Sequence, residues 1–227
     1  ASIEPVSFPY RLEKLQGTIF FAQDQMVWEG FRAEHGAMRV AADVFGRFQP
    51  DGAWKLVLEN LFIDRLTLDR EITKALPDRL KKIFAALNPE GAVGLSGRWE
   101  LAQEAEPTAV QSSQWDVGLS LVGVRLNPGI LLENIHGGVR LVGHFNSQDY
   151  QSWGELELDS LIYQGCQFTQ IRGPFWIDGQ YVLFGPDADA RRQNDPTSGE
   201  ATSETTSARS GRLLTGQLFG GQTSGQG

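Results

Sequence analysis

The sequence predicts a mainly β chain: a meander of repeated short antiparallel strands, with one helical insertion near residues 69–88. Three observations carry this. Apolar and polar residues alternate in several segments that each begin with tryptophan. A six-residue phrase (large apolar, two polar, apolar, spacer, Gly) occurs as LEKLQG at 12–17, LENIHG at 132–137 and FTQIRG at 168–173. The tryptophan-led segments at 115 and 153 start 38 residues apart and the phrases at 132 and 168 start 36 apart, the spacing of successive β units.

The strand segments define a buried side and a wet side. In WKLVLENL (54–61), Trp54, Leu56 and Leu58 share a face opposite Lys55 and Glu59. WDVGLSL (115–121) sets Trp115, Val117, Leu119 and Leu121 against Asp116 and Ser120. WGELELDSL (153–161) does the same with Trp153, Leu156 and Leu158 after a one-residue offset behind the tryptophan, RWEL (98–101) opens a fourth strand, and Trp54, Trp99, Trp115 and Trp153 hold corresponding positions suited to packing. Each reads as half-buried and antiparallel. After the first and third phrases the chain reads Gly, apolar run, polar turn, apolar run, Gly. The turn is Gln23-Asp24-Gln25 in one copy and Asp178-Gly179, a two-residue hairpin signal, in the other. Pro50-Asp51-Gly52 and Asn127-Pro128-Gly129 punctuate further turns.

The exception is DREITKALPDRLKKIFAALN (69–88), where Ile72, Leu76, Leu80, Ile83, Phe84 and Leu87 recur at helical spacing. Asp69 suits an N-cap, Asn88-Pro89-Glu90-Gly91 a stop, and Pro77 bends or divides the helix. Its apolar side is expected to pack on the sheet. Thus residues 1–186 form a repeated β region carrying this insert. Residues 187–211, rich in Ser, Thr and charge and without a large apolar side chain, read as a disordered insertion or linker. RLLTGQLFGGQTSGQG resumes as strand, double glycine, strand, so 212–227 reads as the start of a further, truncated β unit.

Composition narrows function. With 20 basic and 28 acidic residues the net charge is −8 and the pI near 4.9, against a nucleic-acid partner. The single Cys166 makes no internal disulfide and reads as a small strand residue. No run reaches the roughly 18 apolar residues of a membrane helix, and ASIEPVSFPY lacks the features of a signal peptide, so any anchor is expected upstream. His35, His136 and His144 lack metal-ligand spacing. Glu155, Glu157 and Asp159 alternate on one strand's polar face, and no nucleophile elbow, P-loop or dinucleotide fingerprint occurs. The expectation is a non-enzyme with no catalytic residue, metal or cofactor.

These features resemble a known group. The phrases LEKLQG, LENIHG and FTQIRG, the W-x-L-x-L strands and the closing GQLFGGQ are similar to the AsmA-like superfamily of bacterial envelope proteins, with its TamB and YhdP relatives. The inserts at 69–88 and 187–211 depart from a plain strand repeat. The resemblance implies a curled antiparallel β-sheet forming a β-groove lined with apolar side chains, in the periplasm, anchored in the inner membrane by a segment outside this chain. It also implies a part in phospholipid transport and outer-membrane biogenesis, with phospholipid acyl chains and other envelope proteins as partners. The groove-lining residues would be Leu56, Leu58, Val117, Leu119, Leu121, Val139, Leu141, Leu156 and Leu158, which serve equally as a closed core. The alternative is a structural or glycan-binding β-sandwich, with Trp176 and Tyr181 as exposed sugar-binding aromatics.

Overall fold

The computed structural model describes residues 1–4, 10–75, 78–105, 110–146, 150–177, 182–194, 213–218 and 221–225. The strands are β1 (Ser2–Ile3), β2 (Leu12–Ala22), β3 (Gln25–His35), β4 (Met38–Phe48), β5 (Trp54–Thr67), β6 (Ala92–Gln103), β7 (Gln111–Leu126), β8 (Leu132–Phe145), β9 (Tyr150–Tyr163), β10 (Cys166–Ile177), β11 (Val182–Phe184), β12 (Leu214–Leu218) and β13 (Gly221–Gly225). Helices α1 (Arg70–Ala75) and α2 (Asp78–Leu87) join β5 to β6, and α3 (Pro186–Asn194) follows β11. All strands belong to one open, curled antiparallel sheet whose order follows the chain from β1 to β10 and then passes to β12 and β13. β10 takes β11 along Phe175–Ile177 and β12 along Phe168–Arg172, so the chain leaves the sheet through α3 and returns to extend it.

The strands from β2 to β10 run for eleven to sixteen residues, longer than their alternating segments, because bulges interrupt the alternation. The repeated phrase is such a device, and it lies within strands rather than between them. Its third residue adopts a left-handed backbone in every copy: Lys14 at φ 52°, Asn134 at 50°, Gln170 at 52°. Register shifts follow at Glu13/Gln16, Glu133/His136 and Thr169/Arg172. Its glycine is held at φ 118° in Gly17 and 131° in Gly137. A Cβ on Gly17 would lie 2.5 Å from the Trp28 indole nitrogen; one on Gly137 would lie 2.6 Å from Leu158 Cα. The phrase therefore lets adjacent backbones approach where the sheet bends. Gly97 in β6 has the same conformation, at φ 142°, with only the tail Leu95-Ser96-Gly97 of the phrase.

The helical insert packs on the sheet as its pattern predicts. The Asp69 carboxylate accepts from the Glu71 and Ile72 amides at 2.8 and 3.1 Å, capping α1. Asn88 ends α2 at φ 41°. Ile72 and Ala75 are buried with Tyr10, Phe31, Ala33, Met38 and Leu61, and Phe84 packs on the same cluster. Leu76 and Pro77 fall outside the described residues.

Residues 187–194 are not the disordered segment that composition suggests. They belong to α3, and Ala188, 2 % exposed, packs on Trp153 and Trp176. The register Ile177↔Val182 leaves four residues between β10 and β11, not the two of a tight hairpin; Asp178 and Gly179 themselves lie outside the described residues, as do 195–212.

Candidate functional site

Antiparallel partners share a face, so the register sorts side chains into rows across the sheet. One row runs Leu95, Leu119, Val139, Leu156, and the next Val93, Leu121, Gly137, Leu158. On the other side come Val117, Leu141, Gly154 and Phe175, then Leu58, Trp99, Trp115, Gly143 and Ser152, then Leu56, Leu101, Ser113, Phe145 and Tyr150. All nine expected lining residues (Leu56, Leu58, Val117, Leu119, Leu121, Val139, Leu141, Leu156, Leu158) stand on this inner face. No row holds a charged residue. Val117 and Leu158 are buried and the other seven half-buried. Among the described residues no second sheet faces these rows, and only the α1–α2 pair covers one end.

Burial grades along the strands. At the end where β3 turns into β4 and β5 enters α1, Ala33, Val124 and Ile135 are 2 % exposed. At the opposite end, Phe21 and Phe48 are 71 % and 42 % exposed on the same face. Between them an aromatic series spans β6 to β9, with Trp99 and Trp115 ring centroids 6.0 Å apart and Trp115 and Tyr150 5.8 Å apart across β8. The Trp99 indole donates to Ser113 Oγ at 2.7 Å, satisfying its one polar atom. The Trp115 ring lies over Gly143, whose added Cβ would approach it to 2.7 Å. Burial pushes the Tyr150 phenol above its ordinary range, against a smaller opposing hydrogen bond with Ser152.

At the capped end Tyr10 contacts the His35 ring at 4.2 Å, and His35 bridges the Arg11 carbonyl at 2.7 Å and Glu71 at 3.0 Å. Burial, then the charges of Asp69 and Glu71, push the Tyr10 phenol up to about 12. Asp43, Glu59, Arg98, Asp116 and Arg140 stand on the outer face. Arg98 donates to Glu59 at 2.6 Å, and Arg140 forks onto Asp116 at 3.2 and 3.0 Å, each guanidinium being raised chiefly by that hydrogen bond. Asp43 accepts from the Asn60 amide and the Gly30 backbone, which lower its pKa and tie together two neighbouring left-handed bulges.

Glu155, Glu157 and Asp159 alternate outward, away from the rows. His136 bonds locally to Asn134 at 2.9 Å, and His144 meets Trp153 edge-on. Among the described residues no group of three or more His, Cys, Asp or Glu is placed to hold a metal. No described helix is long and apolar enough to cross a membrane. A shallow polar depression of about 460 Å³ lies outside the rows, where Arg125 is paired with both Glu90 and Glu133.

Trp153, which the sequence grouped with Trp54, Trp99 and Trp115, faces the other way. It stacks on Trp176 at 5.5 Å and 17° under α3. Trp176 is only 3 % exposed and offers no sugar platform; Tyr181 lies outside the described residues. Sequence reasoning missed Leu95, Leu101, Phe145 and Phe175 on the inner face. Leu101 lies inside the RWEL segment read as a strand and Leu95 three residues before it, whereas Phe145 and Phe175 are visible only through cross-strand register. Comparison with family models, curated proteins and solved structures finds no match to this chain.

Proposed function

We propose that this chain is a non-enzymatic lipid-binding and lipid-conducting β-groove module, of the AsmA-like kind, acting in the periplasm in phospholipid transport and outer-membrane biogenesis. The observation that carries the reading is the uncharged inner face: rows of Leu, Val and aromatic side chains that the sheet curls around and that, among the described residues, no second sheet covers. An apolar face of this kind is held half-wet at a cost, which a hydrocarbon ligand removes. Each acyl methylene buried there would contribute about 0.8 kcal/mol. The headgroup would remain in water at the uncapped end, since the inner rows carry no charge to receive it. The partners are then phospholipid acyl chains and, in a longer envelope protein, the inner membrane and other envelope components. No observation favours the glycan-binding reading, because its leading aromatic, Trp176, is covered by α3.

The test is organic extraction of detergent-free purified protein followed by mass spectrometry, beside a Leu119→Glu, Leu156→Glu double variant. These two residues are both half-buried and stand in one row on β7 and β9, with Val139 of β8 between them. Phospholipid recovered from the parent and lost from a variant with unchanged far-UV circular dichroism is the expected result. A folded parent that neither carries phospholipid nor takes it up from vesicles would refute the proposal.

A further inference from the structure

Helix α1 can leave the inner side without breaking a rung of the sheet. β5 and β6 pair as far as Thr67↔Ala92, and the Leu68 amide donates to the Gly91 carbonyl at 2.9 Å, so residues 69–89 form an excursion closed at its base. The far end of α2 is fastened by the Asn127 amide, which donates to the Leu87 carbonyl at 2.7 Å. α1, only six residues long, buries Ile72 and Ala75 and is tied across to the sheet by His35 at the end of β3. The His35 Nε2 lies 3.0 Å from Glu71 Oε2 and its Nδ1 2.7 Å from the Arg11 carbonyl, while Tyr10 packs against the ring at 4.2 Å. Both oxygens are acceptors, and a neutral imidazole has a single N–H, so filling both contacts takes the second ring proton. The His35 side chain is 28 % exposed and that of Glu71 67 %, so water reaches the bridge and protons can exchange.

We infer that His35 is a pH-sensitive latch: as the imidazolium it holds α1 over the closed end of the inner face, and as the neutral imidazole it releases α1. The neutral ring, donating its one N–H to the Arg11 carbonyl, turns the Nε2 lone pair toward the Glu71 carboxylate, and that contact is repulsive. Histidine is the side chain whose charge changes between about pH 5 and 8. The latch is therefore closed on the acid side of that change and opens as pH rises through it. Neighbouring charges do not take its place. The Arg11 guanidinium turns to Glu13 at 3.1 Å, and Glu34, engaged by Lys14, stands with Arg39 on the outer face. Asp69 is occupied in capping α1, and Lys74 is exposed in its last turn. The Tyr10 phenol, pushed up to about 12, stays uncharged throughout. What the latch controls is the extent of the inner face, because Ile72 and Ala75 share one cluster with Phe31 and Met38 and with Val117 and Leu119 of the lining. With α1 held, the apolar surface stops at the helices; with α1 released, it continues past them. The release is a property of the chain alone and does not depend on lipid binding.

The test is hydrogen exchange of the α1 amides, expressed as protection relative to unstructured-chain rates and followed from about pH 5 upward through the titration of the His35 ring, which NMR reads on the same sample. Protection is expected to fall about fivefold, the scale of one partly exposed charged pair, in step with loss of the ring proton, while amides of β6 and β7 keep theirs. Where the α1 amides exchange too fast to follow, the methyl resonance of buried Ile72 reads the same release. Glu71→Gln leaves an amide that accepts from Nε2–H or donates to a bare Nε2, so its α1 protection is expected to be level across the ring titration. His35→Phe keeps a ring against Tyr10 without the bridge and is expected to show the released level at every pH; if it does not fold, Glu71→Gln decides alone. A parent whose α1 protection is unchanged while His35 titrates overturns the inference, as does a ring already neutral at the acid end. An equal fall in Glu71→Gln or in folded His35→Phe also overturns it, since the pH response then lies elsewhere.

Discussion

Replacing Gly137 by alanine tests the reading of the repeated phrase as a backbone device. Gly137 sits at φ 131°, which L residues rarely adopt, and its added Cβ would lie 2.6 Å from Leu158 Cα and 2.8 Å from the Asp159 nitrogen. These obstacles are backbone atoms of β9, so no side-chain rotation relieves them. Backbone strain of this kind costs about 1–3 kcal/mol, and forcing strand β9 away adds about 1–3 kcal/mol of overpacking. A loss of about 4 kcal/mol is therefore expected, a large share of the roughly 5–15 kcal/mol that stabilises an ordinary domain. Gly36 is the control: its φ is also positive, at 57°, but no atom lies within 4 Å of its added Cβ. Gly36→Ala should cost about 1 kcal/mol, the left-handed penalty alone. Urea unfolding followed by tryptophan fluorescence reads both. If Gly137→Ala costs no more than Gly36→Ala, the close approach of β8 to β9 is not what the glycine serves.

Two further outcomes follow from packing and from titration. Trp176→Ala removes the indole that stacks on Trp153 beneath Ala188; it should cost about 3–5 kcal/mol and accelerate amide exchange in α3, and exchange unchanged there would break the link between helix and tryptophan pair. Tyr10 has its phenol pKa raised from 10.0 to about 12, so the native state keeps its proton where the unfolded chain has lost it. Its contribution is complete below pH 10 and is lost as pH rises to 12. Tyr10→Phe should flatten that part of the stability–pH curve, whatever it does to absolute stability, and an unaltered alkaline slope would assign the effect elsewhere.

Seven of the nine inner-face residues were legible because apolar and polar residues alternate in the segments around 54–61, 115–121 and 153–161; Val139 and Leu141 lie outside these, and the outward orientation of Trp153 was missed because the one-residue offset that separates it from Leu156 was read as leaving it on the same face. The strand lengths were not legible. In β7 the left-handed Gly123 at φ 66° shifts the inward positions from Leu121 to Val124, so the apolar alternation reads as ending where the strand in fact continues. The phrase was visible as a repeat, yet its conformation was hidden: Lys14 and Gln170 are not residues whose type announces a left-handed backbone. α3 was missed for another reason. Its sequence PDADARRQN has no apolar periodicity, and it is held by tertiary contact of one small residue with two tryptophans presented by distant strands.

The placement of the bulges explains why one sheet can be both core and groove. Lys14, Arg65, Gly97, Gly123, Asn134, Gly137 and Gln170 have positive φ and lie in the half of their strands nearest α1 and α2, while Gly17, Gly30 and Asn60, also at positive φ, stand at the middle of theirs. Bulges strengthen twist and bend a strand, so curvature concentrates in that half. There the inner face closes on itself and on the helices, which is where Phe31, Ala33, Met38, Val40, Leu61, Val93, Val124 and Ile135 are buried. In the other half the β6–β7 and β7–β8 ladders run without a shift, to Gln103↔Gln111 and to Ser113↔Phe145, and their regular stretches reach back to Val93↔Leu121 and Val122↔His136 in the bulged half. Less curvature leaves the rows of Leu56, Trp99, Trp115 and Phe145 less enclosed, and Phe21 and Phe48 stand exposed at that margin. An acyl chain bound as proposed would therefore enter along the regular half and stop where the bulged half closes, so charged substitutions at Leu56 should impair uptake while those at Ile135 should first impair folding.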